Sequence, residues 1–518
     1  MFRKYCSLGL VFFLFLILFV VASVHAKIPQ DTLVIGINTG TFITFDPTKV
    51  NEKVAQVIIK NMYTNLVRLD GKFKAKPEMA ESWSLAEDGK TWTFKLRKGV
   101  VFSDGSPLKA DEVVYSLKRA LLVPTPSPFF AKIIGLTEKS IEKIDDYTVK
   151  IVTNGAPPNV VLGILSAEPG SIVNPRVVEA HKGEDFGQSY LLDHSAGAGS
   201  YVLKEWKRNI RLVMEVNDKY YGNKPALKRI IFQDVPEATE QFLLLKKGDI
   251  DVAWDLIADQ ANSLKDFPDV YIVTTPGQGN AYLAMNAAWG PFKDCRVREA
   301  IKYAIDYKGL IERVHSGFAI ENQSFIPAGY LGYEGRKPFS LDLEKAKALM
   351  EEAGYKDGFE VELNTTDIDY RKSTAVVIQE NLSKIGIKVN VNVMQGSQLF
   401  PKYRKQGLKM VIADWGAGFP DTLNLANSFA NYDYGQLAYR NVWKDDYAID
   451  LVKSSTTEVN EDRRAQIYVD LNKYWQRNSP FAILYQPLVY WGVRKEAKNA
   501  DKAFEGFNAH FDLTMISK

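Results

Sequence analysis

Apolar positions recur along the chain with two different periods, and the two alternate. Thr32-Leu33-Val34-Ile35-Gly36-Ile37 is an apolar run short enough for a buried strand. Phe45-Asp46-Pro47 follows it as a turn. Val54, Val57, Ile58, Met62 and Leu66 fall at helical spacing and predict a helix over 54–66. Trp83 and Leu85, then Trp92, Phe94 and Leu96, alternate with polar neighbours. Asp88-Gly89 lies between the two sets and suits a tight hairpin turn. Asp104-Gly105-Ser106-Pro107 predicts a second turn. Val113, Val114, Leu117, Ala120 and Leu121 then stripe a helix over 110–122.

The middle of the chain continues the alternation. Strands are predicted at 201–203 and 212–214 as a pair, then at 230–232 and 250–253 with a helix over 238–245 between them. Later come helices over 297–305 and 343–353, a strand at 359–363, a helix over 374–385 and a strand at 388–391. Gly354 and Gly386 stand where helices should stop, as left-handed caps. A strand–helix–strand rhythm of this kind predicts a mixed α/β fold with a largely covered sheet. A chain of 518 residues exceeds what one core supports and implies two or three domains.

The first residues have a different character. Arg3 and Lys4 precede an apolar run from Leu8 to Ala22, and Val24-His25-Ala26 offers the small residues of a cleavage site. The expectation is an export signal over 1–26 with a mature start at Lys27. The run is shorter than a bilayer span requires, which argues against a retained anchor. Cys6 precedes the apolar run and so is not a lipid-modified cysteine. A Gram-negative periplasm is the expected compartment. Without residues 1–26 the net charge falls from +3 to about +1, because only Arg3 and Lys4 are lost. No basic field remains to attract nucleic acid. Cys295 is left as a single cysteine, expected to be a buried, inert thiol.

Reactive constellations are missing. There is no HExxH zinc helix, no Walker-type phosphate loop and no GxSxG elbow. Gly277-Gln278-Gly279 lacks the third glycine of a dinucleotide motif and reads as a turn. His181, His194, His315 and His510 are far apart, in no metal-like spacing, and each is expected to be structural. No metal, cofactor or catalytic residue is assigned. The reading is a binding protein rather than an enzyme, with an exported hydrolase built from scattered residues as the alternative.

The stretch from Pro77 to Arg119 narrows this. Pro77-Glu78-Met79-Ala80-Glu81-Ser82-Trp83 precedes Asp88-Gly89-Lys90-Thr91-Trp92-Thr93-Phe94-Lys95-Leu96-Arg97-Lys98-Gly99-Val100. Phe102-Ser103-Asp104-Gly105-Ser106-Pro107-Leu108 and Asp111-Glu112-Val113-Val114-Tyr115-Ser116 follow. The whole closely resembles the hallmark region of the dipeptide-, oligopeptide- and nickel-binding proteins of ABC importers, the bacterial extracellular solute-binding protein family 5. Gly197-Ala198-Gly199-Ser200-Tyr201, Asn217 with Tyr220-Tyr221-Gly222, Lys247-Gly248-Asp249-Ile250-Asp251 and Arg296-Val297-Arg298-Glu299-Ala300-Ile301 resemble further segments of that family.

The resemblance implies a type II periplasmic-binding-protein fold, with two α/β lobes around a ligand cleft and an extra α/β domain inserted in the first. Lobe one would comprise 27–71, 194–286 and 500–518, the insert 72–193 and lobe two 287–499. It implies capture of a small ligand, a peptide foremost, by closure, and delivery by a monomer to an inner-membrane permease complex. Ligand contacts would come from Asn51-Glu52-Lys53 and from Asp414-Trp415-Gly416 with Ala417, Gly418 and Asp421. Peptide binders of the family often carry an aspartate at the position of Gly418, where it pairs with the ligand's ammonium group. Glycine supplies no charge, so Asp421, Asp414 or Glu52 is expected to take that role, unless the ligand lacks a free amine. Blocked or cyclic peptides, oligosaccharides and metal complexes stay open as alternatives. The metal complex is the weaker of them, since no histidine lies near Trp415 in sequence.

Overall fold

The structure, a computed structural model, describes residues 28–50, 52–124, 129–505 and 511–518. The expected export signal, Lys27, Asn51 and His510 lie outside the described residues. Among the described residues no helix is long and apolar enough to cross a membrane.

A twelve-stranded mixed sheet runs through the molecule. Its first half centres on Thr32–Ile37, buried throughout. That strand pairs in parallel with Arg229–Asp234 on one side and with Val252–Ala253 on the other. The antiparallel strands Arg211–Val216 and Tyr201–Lys207 extend this half outward. The second half is built on Gly279–Met285, Met410–Gly416, Phe359–Thr366 and Ile387–Met394. The last two are parallel and joined by the helix Asp369–Ser383, a right-handed βαβ crossover being the expected way to cover such a sheet.

Phe481–Arg494 belongs to both halves. Its first residues pair with Ala281–Ala284, and its last with Val270–Pro276. Strand Val270–Pro276 passes into Gly279–Met285 beside it. The chain therefore crosses from one half to the other twice, side by side, at Gly277-Gln278 and at Gln486-Pro487. Gly277 N–H donates to the Pro487 carbonyl at 2.9 Å. The fully buried Gln486 donates to the Gly277 carbonyl at 2.7 Å and accepts from Ala328 N–H at 2.8 Å.

A separate four-stranded antiparallel sheet holds the hallmark region. Ala80–Leu85 and Thr91–Leu96 form the expected hairpin, and Thr148–Val152 and Ile141–Asp145 complete the sheet. Trp92, Phe94 and Leu96 point into its core and pack under the helix Ala110–Leu122. The hallmark residues are thus a scaffold. This domain also touches the second half of the main sheet. Phe129 meets Phe419 edge-on at 5.6 Å, Phe73 packs on Tyr330 at 4.9 Å, and Glu461 takes an ion pair from Lys74 and a 2.9 Å hydrogen bond from Asn159.

Cys295 departs from expectation: it is exposed. It is the first residue after the N-cap Asp294. The stripe that faces the core is Val297, Ala300, Ile301 and Ala304, and position 295 lies off that stripe. Gly354 and Gly386 both have positive φ, as expected of caps.

Candidate functional site

Where the two crossings meet, the halves of the sheet enclose a cavity of about 560 Å³. It lies beyond the carboxyl end of Met410–Gly416 and beside the loop that follows Phe359–Thr366. Ligands of open α/β sheets sit in that region, because loops there are free of the sheet's own hydrogen bonding. Asp414, Trp415 and Gly416 line the cavity. Ala417, Gly418, Asp421 and Glu52 do not. Glu52 is the residue before the helix Lys53–Met62, and its side chain makes no cap bond to that helix.

Strand Met410–Gly416 is well suited to present its end. Every residue pairs with Gly279–Met285 on one side. On the other, parallel pairing with Leu363 and Asn364 covers only Met410 and Val411. The last residues keep one edge without a strand partner. Gly279 makes the close approach possible, since a Cβ there would fall 2.3 Å from the Trp415 carbonyl oxygen. Trp415 is half-buried, with the Arg440 guanidinium 5.2 Å from its ring centroid.

Asp414 is held from behind. Tyr370 O–H donates to its Oδ2 at 2.6 Å, and Arg371 donates Nε at 2.8 Å and Nη2 at 2.6 Å to the same oxygen. Arg371 Nη1 is anchored on Thr366 Oγ1 at 2.7 Å. Burial, reinforced by the Asp414 charge, holds the Tyr370 hydroxyl protonated well above its ordinary range. All three donors converge on Oδ2, so Oδ1 keeps its acceptor capacity.

Asp421 is engaged elsewhere. It caps the helix Thr422–Ala430 by accepting from Leu423 N–H at 2.8 Å, and both its oxygens pair with Arg464. Asp421 and Arg464 side chains are only 4% and 2% exposed. This is a structural pair, buried away from the cavity. At Gly418 the space a side chain would occupy is taken by Phe129, whose Cζ would lie 2.8 Å from a Cβ.

Sequence reasoning missed much of the wall. His315 lines the same cavity as Trp415, although nothing in the sequence brings them together. The grounds for setting a metal complex aside are corrected accordingly, yet His315 is poorly equipped as a ligand. Its ring packs against Tyr485 at 4.4 Å, its Nε2 is buried without a hydrogen-bond partner, and burial lowers its pKa from 6.5 to about 4. Among the described residues no group of three metal-binding side chains forms. Trp254 and Asp255 come from the opposite half, just after Val252–Ala253. The fully buried Gln241 fixes them there, its Oε1 accepting from both their N–H groups at 2.8 and 2.9 Å. The available signal was position: Tyr370, Arg371, Trp254 and Asp255 all follow carboxyl ends of strands.

Comparison with known proteins agrees with this architecture. The chain is 28% identical over 482 residues to the probable D,D-dipeptide-binding periplasmic protein DdpA of Escherichia coli (strain K12), with 92% of each chain covered. It is 26% identical to the glutathione-binding protein GsiB of Salmonella choleraesuis (strain SC-B67), covering 94% of this chain and 93% of that one. The solved structure of HbpA2 from Haemophilus parasuis superposes with a TM-score of 0.81 at 26% identity, over 90% of this chain and 96% of the other. Residues 74–436 match the model of the bacterial extracellular solute-binding proteins, family 5 Middle. Two lobes about a cleft, an inserted α/β domain and this match over most of the chain place it in one family: the chain belongs to the bacterial extracellular solute-binding proteins, family 5.

Proposed function

We propose that this protein is the periplasmic solute-binding component of an ABC importer, which captures a peptide or peptide-like ligand by hinge closure and delivers it as a monomer to an inner-membrane permease. The observation that carries this reading is the cavity at the double crossing, walled by both halves of the sheet. A ligand there touches both walls, so its contacts favour the shut state over the open one. The relatives named for dipeptide and glutathione binding support a peptide-like cargo. Micromolar capture corresponds to about 8 kcal/mol.

In this reading the lobes exchange at Gly277-Gln278 and Gln486-Pro487, where strand pairing changes sides, and so earlier in the chain than the boundaries 286/287 and 499/500 expected from sequence. The extended ligand backbone adds to the open edge of Trp415-Gly416, a form of β-augmentation. Its ammonium group is accepted by Asp414 Oδ1, which replaces the carboxylate missing at Gly418. The protein binds and releases; it does no chemistry on its cargo.

The test is native mass spectrometry of freshly purified protein, followed by small-angle scattering with the ligand identified or with defined dipeptide and tripeptide pools. A retained peptide and a smaller radius of gyration on binding are expected. Turnover of any added peptide, or uptake without compaction, would refute the reading.

A further inference from the structure

The walls of the cavity differ in one respect that bears on cargo charge. Asp414 is ion-paired through Arg371, but Asp255, facing it from the other lobe, makes no ion pair among the described residues. Asp255 Oδ2 accepts only two long hydrogen bonds, from Asn38 N–H at 3.4 Å and Gln241 Nε2 at 3.3 Å. Among the described residues, no lysine or arginine lines the cavity. His315 is held neutral above acid pH, and beside Gln278 the wall carries the aromatic side chains Trp254, Trp415, Tyr370, Tyr485 and Tyr490.

We propose that the cargo is basic: a peptide-like ligand whose second cationic group, an ammonium or guanidinium, sits on Asp255 between aromatic faces, and which buries no free carboxylate. This rests on the capture reading above. A cation brought to Asp255 gains a charge-assisted hydrogen bond and the attraction of the ring faces around it. A carboxylate enclosed in the same cavity would meet two carboxylates of its own sign and, among the described residues, no cationic side chain in the lining. Neutral ligands gain neither term.

The test is calorimetric titration with matched dipeptide amides, Ala-Lys-amide, Ala-Arg-amide, Ala-Ala-amide and Ala-Glu-amide, together with free-acid Ala-Lys and Ala-Ala, on the wild type and Asp255→Asn. The basic amides are expected to bind about tenfold or more tightly than Ala-Ala-amide. That advantage should vanish in Asp255→Asn, whose thermal midpoint stays at the wild-type value, and should shrink as salt is raised. Equal binding of neutral or acidic members, or a basic preference that survives Asp255→Asn, overturns the charge assignment and leaves capture standing. If no member and no free peptide binds, the peptide reading falls and the charge assignment falls with it.

Discussion

Phe129 occupies the volume into which a side chain at Gly418 would project, its Cζ 2.8 Å from a Cβ built there. The two residues belong to the inserted domain and the second lobe, and Phe129 also packs edge-on against Phe419. A carboxylate at 418 is therefore excluded by packing as well as absent from the sequence. Gly418→Ala should cost about 1 kcal/mol, the low end of overpacking, because the ring tip can give way. Phe129→Ala should restore the loss in the double variant. Gly418→Asp with Phe129→Ala should leave ligand affinity nearly unchanged, because position 418 projects toward Phe129 and does not line the cavity. Urea denaturation and calorimetry on the four variants check this; additive losses in the double variant would show that the two residues do not compete for space.

Asp414 and Asp421 are separated by seven positions and by role. Asp421→Asn keeps a helix-capping oxygen but strips a buried guanidinium, Arg464, of its counter-charge, so a loss of about 3–5 kcal/mol in stability is expected. Ligand affinity, measured where the variant is still folded, should be nearly unchanged. Asp414→Asn should do the reverse, costing about tenfold or more in affinity for amine-bearing ligands and little stability, since Tyr370 and Arg371 still find an amide oxygen. A large affinity loss in Asp421→Asn at intact fold would return the anchor to that residue.

How far the sequence reached follows from what is local. Thr32–Ile37, the Trp83–Leu96 hairpin and the helix at 110–122 are set by periodicity and turn residues that lie within a few positions of one another, and the structure has them where they were expected. The helix at 54–66 ends earlier, at Met62, because Tyr63 turns extended and donates its hydroxyl to the Phe45 carbonyl, a tertiary contact with no local signal. Trp415 was legible as a cavity wall from its place in a motif. His315, Tyr370, Trp254 and Asp255 were not, since they gather only when two lobes fold against the crossings. A single thiol carries no periodicity, so the sequence does not show that Cys295 lies off the core-facing stripe of its helix, which decides its exposure.

His315 makes stability depend on pH in a defined window. Burial lowers its pKa from 6.5 to about 4, against a smaller opposing pull from Asp414. Between those values the unfolded chain binds a proton that the folded one refuses, so stability falls as pH drops from about 6.5 toward 4 and this contribution levels off below. In His315→Gln that part of the decline should be absent. Thermal melts of both proteins at half-unit intervals from pH 4 to 7 check it: the wild-type midpoint should fall more steeply. Parallel profiles would mean that His315 is as accessible to protons as a surface imidazole.

Lys518 should matter more than a lysine usually does, because it is buried against a carboxylate. Lys518 places its ammonium 2.7 Å from Asp251 Oδ2, and the two side chains are 3% and 6% exposed. Asp251 also accepts from Val34 N–H at 2.8 Å, in the central strand of the first lobe. Burial raises the Asp251 pKa, while Lys518 pulls it back down. Lys518→Met leaves a carboxylate buried beside a strand without a counter-charge, and a loss of about 3–5 kcal/mol is expected at neutral pH. In the variant the folded-state pKa of Asp251 stands further above its unfolded value, so the protonated form relieves the penalty. The deficit relative to wild type should therefore shrink as pH falls from 7 toward 4. Guanidinium unfolding at pH 7 and pH 4.5 measures both quantities. A small deficit that does not change with pH would mean that solvent reaches Asp251 and that Lys518 is not its counter-ion.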